Sequence, residues 1–336
     1  MKYQELGSSG IMVSKVSLGA WGLGGGSVWS DKTSTVEDAI ALLDACQEHG
    51  VNYIDTAPVY GMGTSEELLG QALKGRRDQF VIQTKCSLNW RREGGNLHYS
   101  RDGYTVCNDT RGAAIRKDVE DSLRRLQTDC IDSLVVHYVC ASFPVEETVQ
   151  TLVDLIREGK LRTYGLSNSQ PSDLEEYARV LPAGAPGVSL VQEFFSILSP
   201  FHGRDYFPAC KKHQTTFQTY GVLEEGFLTS PAFLDRKFVP SDIRSRLPWV
   251  EPAYREGIRR AFEAWTPFCQ ARGCSFSNLM EAWALAQDEG MNLLVGMRRP
   301  ENVADTVKAV DITLSREEVL AMEEIVKPIQ VEVLDK

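Results

Sequence analysis

Asn52-Tyr53-Ile54-Asp55-Thr56-Ala57-Pro58-Val59-Tyr60-Gly61 reads as a short buried strand that delivers an aspartate and, five residues later and past a proline, a tyrosine. Two more apolar runs end in a polar residue: Phe80-Val81-Ile82-Gln83-Thr84-Lys85 and Leu134-Val135-Val136-His137. Apolar runs of this kind, each closed by one chemically active side chain, are the pattern of parallel strands whose C-terminal ends carry an enzyme's chemistry. Asp55, Tyr60, Lys85 and His137 then form a proton-transfer constellation. The competing reading is a set of unrelated strand-end residues, each satisfied locally, and the architecture on either side argues against it.

Outward from this stretch the chain alternates strand and helix patterns nearly to its end. Val16–Ala20 reads as a first strand, followed by a helix with Val36, Ala39, Ile40 and Leu43 on one face and a capping box from Ser34 and Glu37. After the strand to Asp55 comes a helix near Glu66–Leu73, with Thr64 and Glu67 at its start. The strand to Lys85 leads into a polar insertion, Asn89–Thr110, too long for an ordinary strand-to-helix connection and expected to be a loop that orders over the substrate. A helix through Ile115, Val119, Leu123 and Leu126, the strand to His137, and a helix through Val149, Leu152, Val153 and Ile156 that stops at Gly159 come next. Further strands are expected at Leu161–Ser167, Val188–Gln192, Thr215–Tyr220 and Leu293–Met297. Helices are expected from Pro171, over 254–271, 276–288 and 301–310, and from the capping box of Ser315 and Glu318. Lys2–Leu6 and Ile11–Val13, joined by Gly7-Ser8-Ser9-Gly10, read as a hairpin.

Eight strands each followed by a helix imply an α/β fold, a closed (β/α)8 TIM barrel with an N-terminal β-hairpin and an additional C-terminal helix, as one domain over 1–336. An open doubly wound sheet is the competitor. Gly22-Leu23-Gly24-Gly25-Gly26-Ser27 does not support it: the last glycine of a dinucleotide fingerprint is missing and no helix pattern begins there.

Composition narrows the function. A net charge of −10 lacks the positive surplus that sequence-independent nucleic-acid binding needs, so no nucleic-acid partner is expected. No apolar run is long enough to span a bilayer, and the N-terminus lacks the apolar core of a signal peptide, so no membrane partner and a cytoplasmic location are expected. The 8 cysteines contain no C-x-x-C pair and read as reduced, packed thiols. His137-Tyr138-Val139-Cys140 has no second pair at ligand spacing, so no metal site is expected.

Five runs carry a resemblance: Tyr53-Ile54-Asp55-Thr56-Ala57, Gln83-Thr84-Lys85, Val136-His137, Gly159-Lys160-Leu161-Arg162-Thr163-Tyr164-Gly165-Leu166-Ser167-Asn168 and Gly296-Met297-Arg298-Arg299-Pro300-Glu301-Asn302. With these the chain resembles the aldo-keto reductases over nearly its whole length, most nearly the bacterial branch related to methylglyoxal reductases and the potassium-channel β-subunits. The resemblance implies a catalytic tetrad of Asp55, Tyr60, Lys85 and His137. It also implies a nicotinamide bed of Ser167, Asn168 and Gln192 on the carboxamide, Tyr220 stacked on the ring and Trp21 beside ring and substrate. Gly296, Met297, Arg298, Arg299 and Asn302 fall where the family binds the adenosine 2′-phosphate, which favours NADP(H), and Trp90 is expected to wall the substrate pocket.

The chemistry accounts for these residue types. Reducing a carbonyl needs a hydride on carbon, which a nicotinamide supplies, and a proton on oxygen, which the protein supplies. A tyrosine with an ordinary pKa near ~10 becomes a competent acid or base when an ammonium stabilises its phenolate. Lys85 fits that role, Asp55 would hold Lys85, and His137 would orient the substrate oxygen. The chain departs from the family at Gly221-Val222-Leu223, where Ser-Pro-Leu is common, at Met297, and at Asp305-Thr306 in place of Glu-Asn. Glu224 and Glu225 are expected to lie near the cofactor's pyrophosphate. The expected function is NADPH-dependent reduction of small aldehydes, ketones or sugar-like carbonyls. A sugar or cyclitol dehydrogenase and a cofactor-occupied regulatory subunit are the alternatives, and the sequence leaves the oligomeric state open.

Overall fold

The computed structural model describes residues 1–25, 34–90 and 94–333. The chain opens with the hairpin β1 (Tyr3–Glu5) and β2 (Met12–Ser14), its turn using positive φ at Gly7 and Gly10. Then follow β3 (Val16–Gly19), α1 (Val36–Glu48), β4 (Tyr53–Asp55), α2 (Thr64–Ala72), β5 (Val81–Cys86), β6 (Leu88–Asn89), β7 (Asn96–Arg101), β8 (Tyr104–Asn108) and α3 (Gly112–Leu126). The second half runs β9 (Ile131–Val136), α4 (Val145–Arg157), β10 (Leu161–Ser167), α5 (Pro171–Arg179), β11 (Leu190–Phe194), α6 (Phe201–His213), β12 (Thr216–Tyr220), α7 (Pro252–Arg272), α8 (Phe276–Leu285), β13 (Asn292–Gly296), α9 (Pro300–Thr306) and α10 (Arg316–Val326).

Strands β3, β4, β5, β9, β10, β11, β12 and β13 pair in parallel in that order, and β13 returns to β3 to close the barrel. The expected (β/α)8 architecture is therefore the one adopted. Helices hold to the barrel through apolar stripes. In α4, Val149, Leu152 and Val153 are fully buried, each such side chain contributing about 1.5–3 kcal/mol relative to exposure.

Local expectations differ from the structure in instructive ways. The box that starts α1 is one residue later than expected: Asp38 N–H donates to Thr35 Oγ1 (3.2 Å) and Thr35 N–H to Asp38 Oδ2 (2.8 Å), because Ser-Thr-Val-Glu-Asp offers the same spacing twice. The helix α6 has no counterpart among the expected elements; Gly203 and Pro208 interrupt its pattern, and tertiary packing of Gly203 against Phe195 supports it. Strand β11 runs on to Phe194, beyond Gln192, since β12 offers it partners as far as Tyr220.

The insertion 89–110 is not a loop. Its described residues form a three-stranded antiparallel sheet in the order β6-β8-β7, separate from the barrel. Arg101 pairs with Tyr104 across Asp102-Gly103, both at positive φ, the two-residue turn that Asp-Gly favours. The sheet rests on the segment after β9: Asn96 Nδ2 donates to Ser142 Oγ (2.8 Å) and lies 3.2 Å from Cys140 Sγ.

Candidate active site

Successive side chains on a strand point to opposite faces, so residues two apart share one. On β4 this sends Tyr53 and Asp55 into the barrel, and on β5 it sends Gln83 and Lys85 there; all four are buried. The Lys85 ammonium lies 2.6 Å and 2.8 Å from the two Asp55 carboxylate oxygens, 3.0 Å from the Thr56 carbonyl oxygen and 3.1 Å from the Tyr60 hydroxyl. Burial pulls Lys85 below its ordinary pKa, and the Asp55 carboxylate opposes that shift.

Tyr60 is held by a close approach of two backbones. A Cβ on Gly24 would come within 2.5 Å of the Tyr60 carbonyl carbon, and Gly61, at φ +65°, packs on Gly24 from the other side. Gly22 and Gly24 thus serve close packing; Gly26 and Ser27 lie outside the described residues. The ring of Tyr60 stacks on Trp21 (centroids 5.7 Å, 23°) and meets His137 edge-on (6.0 Å, 83°). His137 is buried, and its Nδ1 has no hydrogen-bond partner. Burial, with help from the Lys85 ammonium and His98, holds its pKa well below the usual imidazole value, so the ring is neutral at pH 7.

Around this centre the barrel mouth is lined with amides. Asn168, at φ +48°, donates from Nδ2 to the His137 carbonyl oxygen (3.0 Å), and its Oδ1 accepts from the Tyr220 hydroxyl (2.6 Å). Ser167 Oγ donates to the Gln192 carbonyl oxygen (2.8 Å), and Gln192 Nε2 lies 3.0 Å from Asp55 Oδ1. Ten sequence-selected residues meet in one cluster or at its rim: the four tetrad positions, Trp21, Ser167, Asn168, Gln192, Tyr220 and Arg298. Arg298 joins it because its guanidinium group packs on Gly22, where a Cβ would meet Nε at 2.5 Å. Gly296 and Arg299 are exposed on the same segment, and Asn302 is half-buried with its N–H on the Arg299 carbonyl oxygen (2.9 Å). Trp90 is half-buried just past β6.

Burial constrains one sequence-selected residue and overturns the expectation for another. Met297 is fully buried in the core cluster, so its side chain faces apolar neighbours and only its backbone is left for a ligand. Glu224 does not face a phosphate: it is fully buried, its carboxylate accepting from Trp249 Nε1 (2.7 Å) and from the Ser196 hydroxyl. Burial pushes its carboxyl up to about 8.

Sequence reasoning missed a buried polar layer below the tetrad. Gln83 Nε2 donates to Asp55 Oδ1 (2.6 Å) and lies 2.8 Å from Gln218 Oε1; Gln218 Nε2 donates to Asn292 Oδ1 (2.8 Å), which also accepts from Ser17 Oγ (2.6 Å). Tyr53 donates its hydroxyl to Gln83 Oε1. The available signal was an inward-facing amide at the same relative position in several strands, where barrels ordinarily carry branched apolar residues. A buried carboxylate is tolerable only when saturated in this way.

The barrel and this cluster define an oxidoreductase-type site, and the family model for the aldo/keto reductase family matches residues 15–327, so the chain belongs to the aldo-keto reductase family. It is 33% identical over 334 residues to the NADH-specific methylglyoxal reductase of Escherichia coli strain K12, covering 98% of this chain and 100% of that protein. Among solved structures it is similar to a glycerol dehydrogenase from Gluconobacter oxydans (29% identity, TM-score 0.84, covering 97% of this chain and 96% of that one). It is also similar to an aldo-keto reductase from Klebsiella pneumoniae in complex with NADPH (25% identity, TM-score 0.72, covering 99% and 98%).

Proposed function

We propose that this chain reduces small carbonyl compounds with a nicotinamide cofactor, with Tyr60 delivering the proton. The observation that carries the reading is the Lys85 ammonium, 3.1 Å from the Tyr60 hydroxyl and held by Asp55 at 2.6 Å. The donor set fits a nicotinamide. Asn168, Gln192 and Ser167 offer amide and hydroxyl groups that complement a carboxamide, Tyr220 offers a flat ring beside them, and Arg298 and Arg299 offer phosphate-matching guanidinium groups. The bound cofactor would supply the hydride.

The side chains do the rest. Neutral His137 donates a hydrogen bond to the substrate oxygen and orients it toward Tyr60. Tyr60 gives its proton to that oxygen as charge develops there, and the ammonium of Lys85 stabilises the phenolate left behind. Asp55, with donors from Lys85, Gln83 and Gln192, keeps the ammonium from drifting. The reverse path oxidises an alcohol with the same groups, and the glycerol dehydrogenase relative supports that second reading.

For the cofactor we favour NADP(H), on the two guanidinium groups. The name of the Escherichia coli relative, NADH-specific, favours the other reading, and Met297 offers no side-chain donor to a phosphate. A cytoplasmic location belongs to the same proposal: no disulfide is formed among the described residues, and none of their helices is long and apolar enough to cross a membrane. The test is initial-rate reduction of methylglyoxal and propanal, followed by loss of reduced-nicotinamide absorbance with NADH and with NADPH. Consumption of neither cofactor with either aldehyde would refute the reading.

A further inference from the structure

We infer that His98 is a specificity-determining residue for the proposed reduction, recognising a second oxygen on the carbon next to the reacting carbonyl. The inference rests on the reductase reading and names its substrate class: α-oxoaldehydes and α-hydroxy carbonyls rather than plain alkyl aldehydes.

The placement of His98 is built into the insertion sheet. Strands β7 and β8 are in register up to Leu97↔Cys107 and again from Tyr99↔Val106, so His98 is the extra residue of a β-bulge. A bulge turns one side chain out of the ladder, and bulges are used beside active sites for that purpose. Here the imidazole is turned onto Tyr138, with centroids 4.3 Å apart, and Tyr138 in turn neighbours His137 at 5.5 Å. Tyr138 thus packs against both imidazole rings. The sheet is fixed there by the Asn96 hydrogen bonds to the segment after β9.

Packing alone does not explain an imidazole at this bulge, because any flat apolar ring would cover Tyr138 as well. Half-burial keeps His98 below its ordinary pKa and so uncharged at pH 7. A neutral imidazole has one N–H donor and one acceptor nitrogen, and can therefore meet either a carbonyl or a hydroxyl oxygen. The same sheet holds an unmet polar demand: both amide atoms of Asn89, which is 1% exposed, lack hydrogen-bond partners. Buried polar atoms in that state are ordinarily satisfied by water or a polar ligand. His137 supplies one imidazole for the reacting oxygen, and His98 supplies another at the distance of an intervening ring.

The test compares kcat/KM for methylglyoxal, with adjacent oxygens, and for propanal, of equal length with one oxygen, in the unmodified protein, H98L and H98Q. Losing a hydrogen bond that only one substrate makes should lower the methylglyoxal-to-propanal ratio about tenfold in H98L. H98Q, which keeps a donor and an acceptor, should retain most of the ratio. If H98L does not fold, H98F keeps a ring on Tyr138 and carries the same expectation. A ratio unchanged within about twofold, including equal loss on both substrates, would overturn the inference and leave His98 a packing residue. Turnover of neither substrate by the unmodified protein would instead refute the reductase reading, and this inference with it.

Discussion

Tyr60 and Lys85 are within hydrogen-bond distance because β4, with the segment that follows it, lies beside β5, and their proposed roles separate under mutation. Tyr60→Phe keeps the ring on Trp21 and removes the hydroxyl, so carbonyl reduction should fall about 10²–10⁴-fold while cofactor affinity, read by fluorescence titration, stays nearly unchanged. Near-normal turnover would rule out Tyr60 as the proton donor. Lys85→Met should be doubly harmful. It removes the ammonium beside Tyr60, and it leaves the Asp55 carboxylate buried with amide donors alone. Breaking one partner of a buried pair costs about 3–5 kcal/mol. Denaturant unfolding should show that loss, and Asp55→Asn in the same chain should recover part of it. In the oxidative direction any surviving activity should need higher pH, and an unshifted pH–rate curve would exclude Lys85 from assisting the tyrosine. Asp55, Tyr60, Lys85 and His137 were legible because each closes or follows an apolar run. Gln83, Gln218 and Asn292 were not, because a single amide inside a strand pattern reads as an interruption until closure of the barrel brings the amides together.

Elements were legible in proportion to how locally they are determined. The Ser315 and Glu318 box and the Gly159 stop are set by a few adjacent residues, and both are present. The helix α6 contains glycine and proline and depends on contacts with distant residues, and the insertion sheet consists of polar strands marked only by Asp102-Gly103. The segment from β13 into α9 carries the cofactor question. A paired guanidinium–phosphate contact contributes about 1.5–3 kcal/mol, a preference of roughly 10–150-fold for NADP(H) over NAD(H). Titrating both reduced cofactors should show it in the unmodified protein and show it reduced in Arg298→Ala and Arg299→Ala. Equal or tighter NADH binding would reverse the assignment, and a preference that survives both substitutions would assign its cause elsewhere. Glu224 no longer counts against phosphate, since it is buried between Trp249 and Ser196.

At the scale of the whole molecule, buried ionisable groups make stability depend on pH from both sides. Burial raises the carboxyls of Glu224 and Glu281 to about 8 each, against an ordinary 4.5. Between those values the folded chain holds protons that the unfolded chain has released. Stability therefore falls as pH rises from the carboxylate range through about 8, then levels off. His137 works on the acid side: its folded value lies well below 6.5, so the unfolded chain takes up the proton first and stability falls as pH drops below 6.5. Replacing Glu224 with Gln should flatten the alkaline limb, seen as a smaller loss of Tm between about pH 6 and pH 9. Parallel Tm curves for the two proteins would show that Glu224 does not titrate in that interval.

The amino-acid sequence by itself determined the alternation of strands and helices, hence the barrel, and the strand-end positions of Asp55, Lys85 and His137. Periodicity, caps and glycine stops act over a few residues, and burial on both faces of a parallel strand leaves only its end to carry polar chemistry. Beyond the tetrad, tertiary structure alone decided which polar groups meet. Glu224 turned inward to Trp249, Met297 entered the core, His98 was aimed by a bulge, and amides from four strands converged under Asp55. Each of these depends on partners far away in the chain, and hydrogen bonding and desolvation are properties of the assembled neighbourhood rather than of the residue.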